Sequence, residues 1–184
     1  MKNALLIAME FNALLPALET PGRTDGYEGF FHLQEMSGKV EEARMVYIIR
    51  DHSMERFQER KAAFQKAAEE MNRRYGAGTV DAKVEDQYYN MYEVLKDRME
   101  IVTLAEEAMK AAGIAQPTHS PIRGGTDGCM LTYKGLLCPN LPSGGHNAHG
   151  RFEFAPVESL KTGVRTVKAL VSPELVETII GKKE

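Results

Sequence analysis

Residues Phe30–Arg50 read FFHLQEMSGKVEEARMVYIIR. Two β-forming runs, Phe30–Met36 and Val40–Arg50, flank Ser37-Gly38-Lys39, which has the residue types of a hairpin turn. The second run ends in a solid β-forming stretch, Met45–Ile49. Asp51 or Ser53 can then cap a long helix from Met54 to about Arg74. Its apolar positions Phe57, Ala63, Phe64, Ala67, Ala68 and Met71 make one stripe. The other face carries Arg56, Arg60, Lys61, Lys66, Arg73 and Arg74 interleaved with Glu55, Glu59, Glu69 and Glu70. Mixed signs of this kind describe a solvated helix surface and not a nucleic-acid face.

Outward from this hairpin and helix, the pattern extends in both directions. Asn3–Leu15 is mostly apolar with helical spacing among Leu5, Leu6, Met9 and Phe11, and it opens with no cap and no polar lead-in. Pro16–Gly29 is a linker rich in turn residues, including Pro21, Gly22, Asp25 and Gly26. Gly76 and Gly78 stop the long helix. Thr79–Tyr89 then alternates Val80, Ala82 and Val84 against Asp81, Lys83 and Glu85, as a strand does. Residues 1–90 therefore read α-β-β-α-β, a ferredoxin-like layer missing its first strand. That strand would come directly before residue 1, and its lack would leave an unpaired edge or groove. Both features point to an N-terminal truncation.

The second half, residues 91–184, changes character. Val94–Ala112 is helical, with Ile101, Leu104, Ala105, Ala108 and Met109 inward and Gly113 closing it. Short strands are expected at Gln116–Pro121, Leu136–Leu141 and Phe152–Phe154. A short helix is expected at Cys129–Tyr133, starting from Thr126 or Asp127. Helices follow from Pro156 to about Leu170 and over Pro173–Ile180. The whole is expected to be of mixed α/β class: an α+β first domain, then an incomplete α/β unit.

Composition limits the function. With 184 residues and 43% hydrophobic content the chain can bury a core, as one domain or two small ones. A formal net charge of −3 gives no basic balance for nucleic acid. No apolar run approaches the roughly 20 residues that span a bilayer, and no signal peptide is evident, so the expectation is a cytoplasmic protein without membrane partners. Cys129 and Cys138 suit neither a disulfide scaffold nor a four-ligand zinc site and read as buried or half-buried thiols.

The chemistry concentrates in PIRGGTDG (Pro121–Gly128) and PNLPSGGHNAHGRFEF (Pro139–Phe154). Glycine this dense around Arg123, Asp127, His146 and His149 builds loops that can approach a ligand closely. Arg123 could clamp a carboxylate or pair with an acid. Thr126 and Asp127 read first as helix caps. His149 is a candidate ligand or catalytic residue, or a hydrogen-bonding loop histidine. His32, His52 and His119 have no partner at metal-ligand spacing, and the HExxH, GxSxG and P-loop patterns are absent.

EGFFHLQEMSGKVEEARMVYIIRD, DQYYNM, PIRGGTDG and GGHNAHGRFEF, in this order, resemble the peptidase T family of bacterial aminotripeptidases, within the wider group of two-zinc aminopeptidases and carboxypeptidases. The resemblance implies that residues 1–90 are a lid domain short of its opening strand. Residues 91–184 would then be the returning C-terminal part of a catalytic domain. It implies small peptides as substrates and a zinc pair with a glutamate base, of which only His149, in the H-G pair before R-F-E-F, has a counterpart as metal ligand here. His146 stands where the family usually has another residue, and is not counted. Arg123, Gly124 and Gly125 resemble the segment lining the substrate site, with Asn90 on the lid side. The other ligands and the base have no counterpart. The chain alone is therefore expected to hold no two-metal site and to be inactive. It would act as a homo-oligomeric module or with a complementary N-terminal peptidase fragment.

Overall fold

The computed structural model describes residues 2–181. The chain divides into two compact units, Met1–Asn90 with Pro121–Gly124, and Met91–Ser120 with Gly125–Glu184. The outer limits of the expected domains, residues 1 and 184, lie outside the described residues. The described residues form seven helices and one two-stranded antiparallel sheet, so the mixed α/β class holds.

Unit 1 contains α1 (Ala4–Leu14), β1 (Phe30–Gly38), β2 (Ala43–Arg50) and α2 (Met54–Tyr75). The hairpin pairs Phe30 with Arg50 through to Gly38 with Ala43 and carries a register shift between Leu33 and Glu35. The turn is later than the sequence suggests. Lys39 N donates to Glu42 O at 2.7 Å, so residues 39–42 form the loop. Gly38 belongs to the ladder because its backbone approaches Ala43 too closely for a side chain; an added Cβ would meet Ala43 Cα at 2.6 Å.

Contrary to expectation, α1 is capped: Asn3 Oδ1 accepts from Leu5 N at 3.1 Å and Leu6 N at 3.4 Å. Its buried stripe is Ile7, Phe11 and Leu15 with Ala8, while Leu6 and Met9 are exposed. Ser53 caps α2, accepting from Arg56 N. The α2 stripe lies where its spacing places it. Ala67, Ala68 and Met71 join Ile7, Phe11, Leu15 and Phe31 in one core, with Phe64 and Tyr47 packed against it. Phe11, Phe64 and Tyr47 meet with ring centroids 5.0–6.0 Å apart. Burial pushes the Tyr47 hydroxyl pKa up to about 12, and that hydroxyl donates to Asn12 Oδ1 at 2.8 Å.

The strand expected at Thr79–Tyr89 forms no ladder among the described residues. Its period-two burial is present: residues 80, 82 and 84 are half-buried and 81, 83 and 85 exposed. What it lacks is a neighbouring backbone, so side chains hold it instead. Asn72 Nδ2 donates to Val80 O and Asn72 Oδ1 accepts from Val80 N, both at 2.8 Å. Lys61 pairs with Asp86 at 2.8 Å, and that bond, with one from the Tyr89 hydroxyl, holds the Asp86 carboxyl below its usual range. Replacing Asn72 by Ala removes both bonds to Val80. It is expected to destabilise the chain by about 1–3 kcal/mol in urea unfolding.

Unit 2 contains α3 (Tyr92–Leu95), α4 (Glu100–Ala111), α5 (Asp127–Tyr133), α6 (Val157–Leu170) and α7 (Pro173–Ile179). The single helix expected over Val94–Ala112 is thus two, broken across residues 96–99. Leu104, Ala105, Ala108, Met109 and Ala112 form the buried stripe of α4, which packs on α6 and α7. The three short strands expected here are not formed among the described residues; a single bridge joins His146 and Phe154. Leu136 and Cys138 use their N–H groups on α5 instead, donating to Leu131 O and Thr132 Oγ1, both at 3.0 Å. Pro117 and Pro121 bring no N–H to the third segment. One face of α6 is left open: Val157, Leu160, Val164, Val167 and Val171 are each more than half exposed. No helix among the described residues is long and apolar enough to cross a membrane.

Candidate functional site

The loop between Gly144 and Phe154 is built by short-range bonds. His146 N donates to Phe154 O at 2.8 Å and Phe154 N to His146 O at 3.2 Å, closing the loop at its base. Their rings stack, with centroids 5.1 Å apart and planes at 17°. Within the loop, Gly150 N reaches Asn147 O at 2.8 Å, and Asn147 Nδ2 donates to Phe152 O at 3.2 Å. The glycine is required there, because a Cβ on Gly150 would meet Asn147 O at 2.9 Å.

Asn147 and His149 are the described non-glycine residues with positive φ, at 56° and 63°. This left-handed conformation is uncommon for residues with a side chain, and concentrates where a structure over-determines it for function. His149 N donates to the Glu153 carboxylate at 3.2 Å, which holds the turn while the His149 residue stays exposed. The two histidines of GGHNAHG therefore do different work: His146 fastens the loop and His149 is presented by it. Glu153 was not singled out by spacing; its place in R-F-E-F, four residues after His149, was the available signal.

Arg123 is placed in unit 1, where it is already committed. Its guanidinium donates to Pro21 O at 3.3 Å, to Thr24 O and to Thr24 Oγ1, and lies 4.9 Å from the Phe30 ring centroid. These contacts tie Pro121–Gly124 to unit 1. The Arg123 partners are carbonyls, a hydroxyl and an aromatic face, where an acid was expected, and Arg123 Nε is buried without a partner among the described residues. Asn90 donates through Nδ2 to His52 O at 3.0 Å, and His52 Nδ1 lies 3.3 Å from Tyr27 O. Asn90 and Arg123 thus both brace the segment between α1 and β1. Gly124 has open space where a Cβ would project. Gly125 and His149 belong to unit 2.

At the start of α5, Thr126 is in the N-cap position, but its side chain makes no capping bond; its Oγ1 lies 3.7 Å from Cys129 Sγ. Both cysteines are free thiols, Cys129 buried and Cys138 half-buried. His119 pairs with Glu106 at 2.6 Å. No group of three or more His, Cys, Asp or Glu side chains converges among the described residues.

The sequence aligns with bacterial proteins over nearly all its length. It is 47% identical over 171 residues to peptidase T of Caldanaerobacter subterraneus subsp. tengcongensis, covering 93% of this chain and 42% of that protein. This chain is homologous to part of peptidase T. The peptidase T of Streptococcus thermophilus is 48% identical over 172 residues, and that of Halothermothrix orenii 47% over 171. Each of these peptidase T proteins is likewise covered over 42% of its length, so the chain spans less than half of the relatives it matches. No family model matches the chain.

Proposed function

We propose that this chain is the lid and returning catalytic portion of a peptidase T-like, zinc-dependent aminotripeptidase that removes N-terminal residues from tripeptides in the cytoplasm. The observation that carries the reading is identity near 47% sustained over 93% of the chain with proteins of that name. Residues 1–90 serve as lid and 91–184 as catalytic portion in this proposal. His149 serves as one zinc ligand, and its presentation on a left-handed backbone supports that role. Arg123, Gly124, Gly125 and Asn90 lie on the substrate side, Arg123 by holding the Pro21–Thr24 turn.

Zinc in such a site polarises the scissile carbonyl and activates water. The described residues fit one position of its coordination shell and not a whole two-metal centre, since His149 is a lone donor among them. The remaining ligands and the base have to come from polypeptide outside this sequence. The exposed stripe on α6 favours the same view. Val157, Leu160, Val164, Val167 and Val171 recur at alternating three and four residues, the spacing of a face that packs on another element. It also supports the second reading, a self-associating module without catalysis.

The test is hydrolysis of a tripeptide by the purified chain with added zinc. Turnover well below about 1 s⁻¹ is expected. Turnover at that level by the chain alone overturns the incomplete-site reading. Hydrolysis restored by adding the N-terminal portion of the Caldanaerobacter relative supports the peptidase reading. A stable dimer in sedimentation, with no hydrolysis in any mixture, supports the module instead.

A further inference from the structure

Unit 1 contains two stretches of backbone that lie side by side without bonding. One is the outer edge of β2, which pairs only with β1 among the described residues. The other is residues 81–88, which make no backbone–backbone hydrogen bond to any described residue. Both face the same core: Met45, Tyr47 and Ile49 from β2, and Val80 and Ala82 from the second stretch, pack against one cluster. At their far ends they are coupled by long side chains. The Arg50 guanidinium lies 4.8 Å from the Tyr88 ring centroid, and Asn90 donates to His52 O. Neighbours that touch through an arginine and a tyrosine but share no ladder bond have the relation of second-neighbour strands, about 9.5 Å apart.

The near ends are marked by the start of the described chain. Ala4 N donates to Val40 O at 2.9 Å, just before β2, and Lys2 Nζ to Tyr75 O, just before the second stretch. Residues 40–50 and 76–88 therefore run in the same direction, from the Lys2 end to the Arg50 end. A segment entering between them and leading into Lys2 has to run the opposite way, antiparallel to both. Antiparallel pairing on each side is the hydrogen-bond geometry that would satisfy both rows of donors and acceptors. The Tyr88 hydroxyl, buried and without a partner among the described residues, lies at the far end of this lane.

We propose that the lane between β2 and residues 81–88 takes one β-strand, antiparallel to both, from the peptidase T segment that precedes the region matched here, and that it captures this strand from a separate peptide as well as from a continuous chain. The chemistry is strand addition at a sheet edge: backbone bonds provide the affinity, and alternate apolar side chains facing α1 and α2 provide the register. The commitment to this occupant rests on the position of Lys2 at the mouth of the lane and on relatives of which the chain covers only 42%. It rests on the peptidase T kinship but not on any zinc or catalytic residue.

The experiment uses the full chain and a synthetic peptide of about ten residues, a strand's length, with the sequence directly preceding the matched region of the Caldanaerobacter relative. Amide hydrogen exchange is the readout. At a peptide concentration of a hundred times Kd, protection at residues 43–50 and 81–88 is expected to rise about 100-fold. A scrambled peptide should leave exchange unchanged. The same ten residues fused ahead of Lys2 should protect the same amides. Absence of protection with both the free peptide and the fusion overturns the proposal. So does protection confined to the β1 edge, or protection at 43–50 that appears without peptide and rises with chain concentration, which assigns the lane to a second copy. Because the readout does not involve hydrolysis, an inactive but strand-capturing chain separates this outcome from failure of the peptidase reading.

Discussion

Replacing His149 by Ala in the chain reconstituted with an N-terminal peptidase portion is expected to lower tripeptide kcat/KM by more than about 100-fold. Loss of a group that only orients a ligand commonly costs 10–100-fold in metal affinity or activity, and loss of a ligand itself should exceed that. His146→Ala is the informative comparison. His146 lies three residues away in the same loop, and its backbone bonds to Phe154 survive the substitution. The lost ring stack on Phe154 should loosen the loop and cost less than tenfold. Zinc content separates the two roles further: His149→Ala should lower bound zinc per reconstituted enzyme, and His146→Ala should leave it unchanged. Equal losses for the two variants would mean that the loop's shape matters and His149 holds no metal. A third substitution tests the backbone. His149→Gly removes the imidazole but relieves the left-handed strain, so it should be as inactive as His149→Ala while being at least as stable.

How much of this was legible in the sequence differs between the units. In unit 1 the hairpin, α2 and its buried stripe follow from local pattern, because each has its packing partner within about 40 residues. The alternation of Val80, Ala82 and Val84 was also legible, and the structure keeps it as alternating burial. Alternation specifies which face is buried, however, and not which backbone pairs. With no neighbour at its side the segment is held by Asn72 and Lys61, a solution that no period reveals. The same limit explains the strands expected in unit 2. Leu136–Leu141 has the composition of a strand, but its N–H groups are taken by α5, six residues away or fewer. The cap on α1 was missed for a different reason: a single asparagine at residue 3 suffices, and no polar lead-in is needed. In the candidate site the glycines correctly marked a tight loop. Spacing alone could not distinguish His146 from His149, because the distinction is made by the Phe154 bridge and by one backbone dihedral. Arg123 was legible as a committed cation but not as one held by carbonyls, since its partners Pro21 and Thr24 lie about a hundred positions earlier.

Asp51→Ala is expected to cost about 3–5 kcal/mol of stability, the largest effect of any single substitution in unit 1. Asp51 is nearly fully buried, its side chain 1% exposed, and pairs with Arg60, itself 14% exposed. Arg60 reaches Glu19 at 2.9 Å and Asp51 Oδ1 accepts from Ser53 N at 2.8 Å, so one carboxylate joins β2, the start of α2 and the segment before β1. Truncating it leaves the Arg60 charge buried with only the half-exposed Glu19 as a counter-ion. Against a typical total of 5–15 kcal/mol, that loss brings a domain close to unfolding in water. The ion pairs at the end of α2 make the contrast. Arg73 and Arg74 hold the Glu70 carboxyl at about 2, yet all three side chains meet solvent. A depressed carboxyl stabilises the fold above its ordinary pKa of 4.5 and loses that contribution as pH falls toward 2. For so exposed a group the contribution is small, and Glu70→Ala should barely move the urea midpoint. The double variant Asp51→Ala/Arg60→Met decides between a lost bond and a stranded charge. If the stranded guanidinium causes the damage, the double variant is more stable than Asp51→Ala alone, with an unchanged denaturant slope. If it is less stable, by the sum of the two single losses, each residue acts through its own packing and the pair is not the cause.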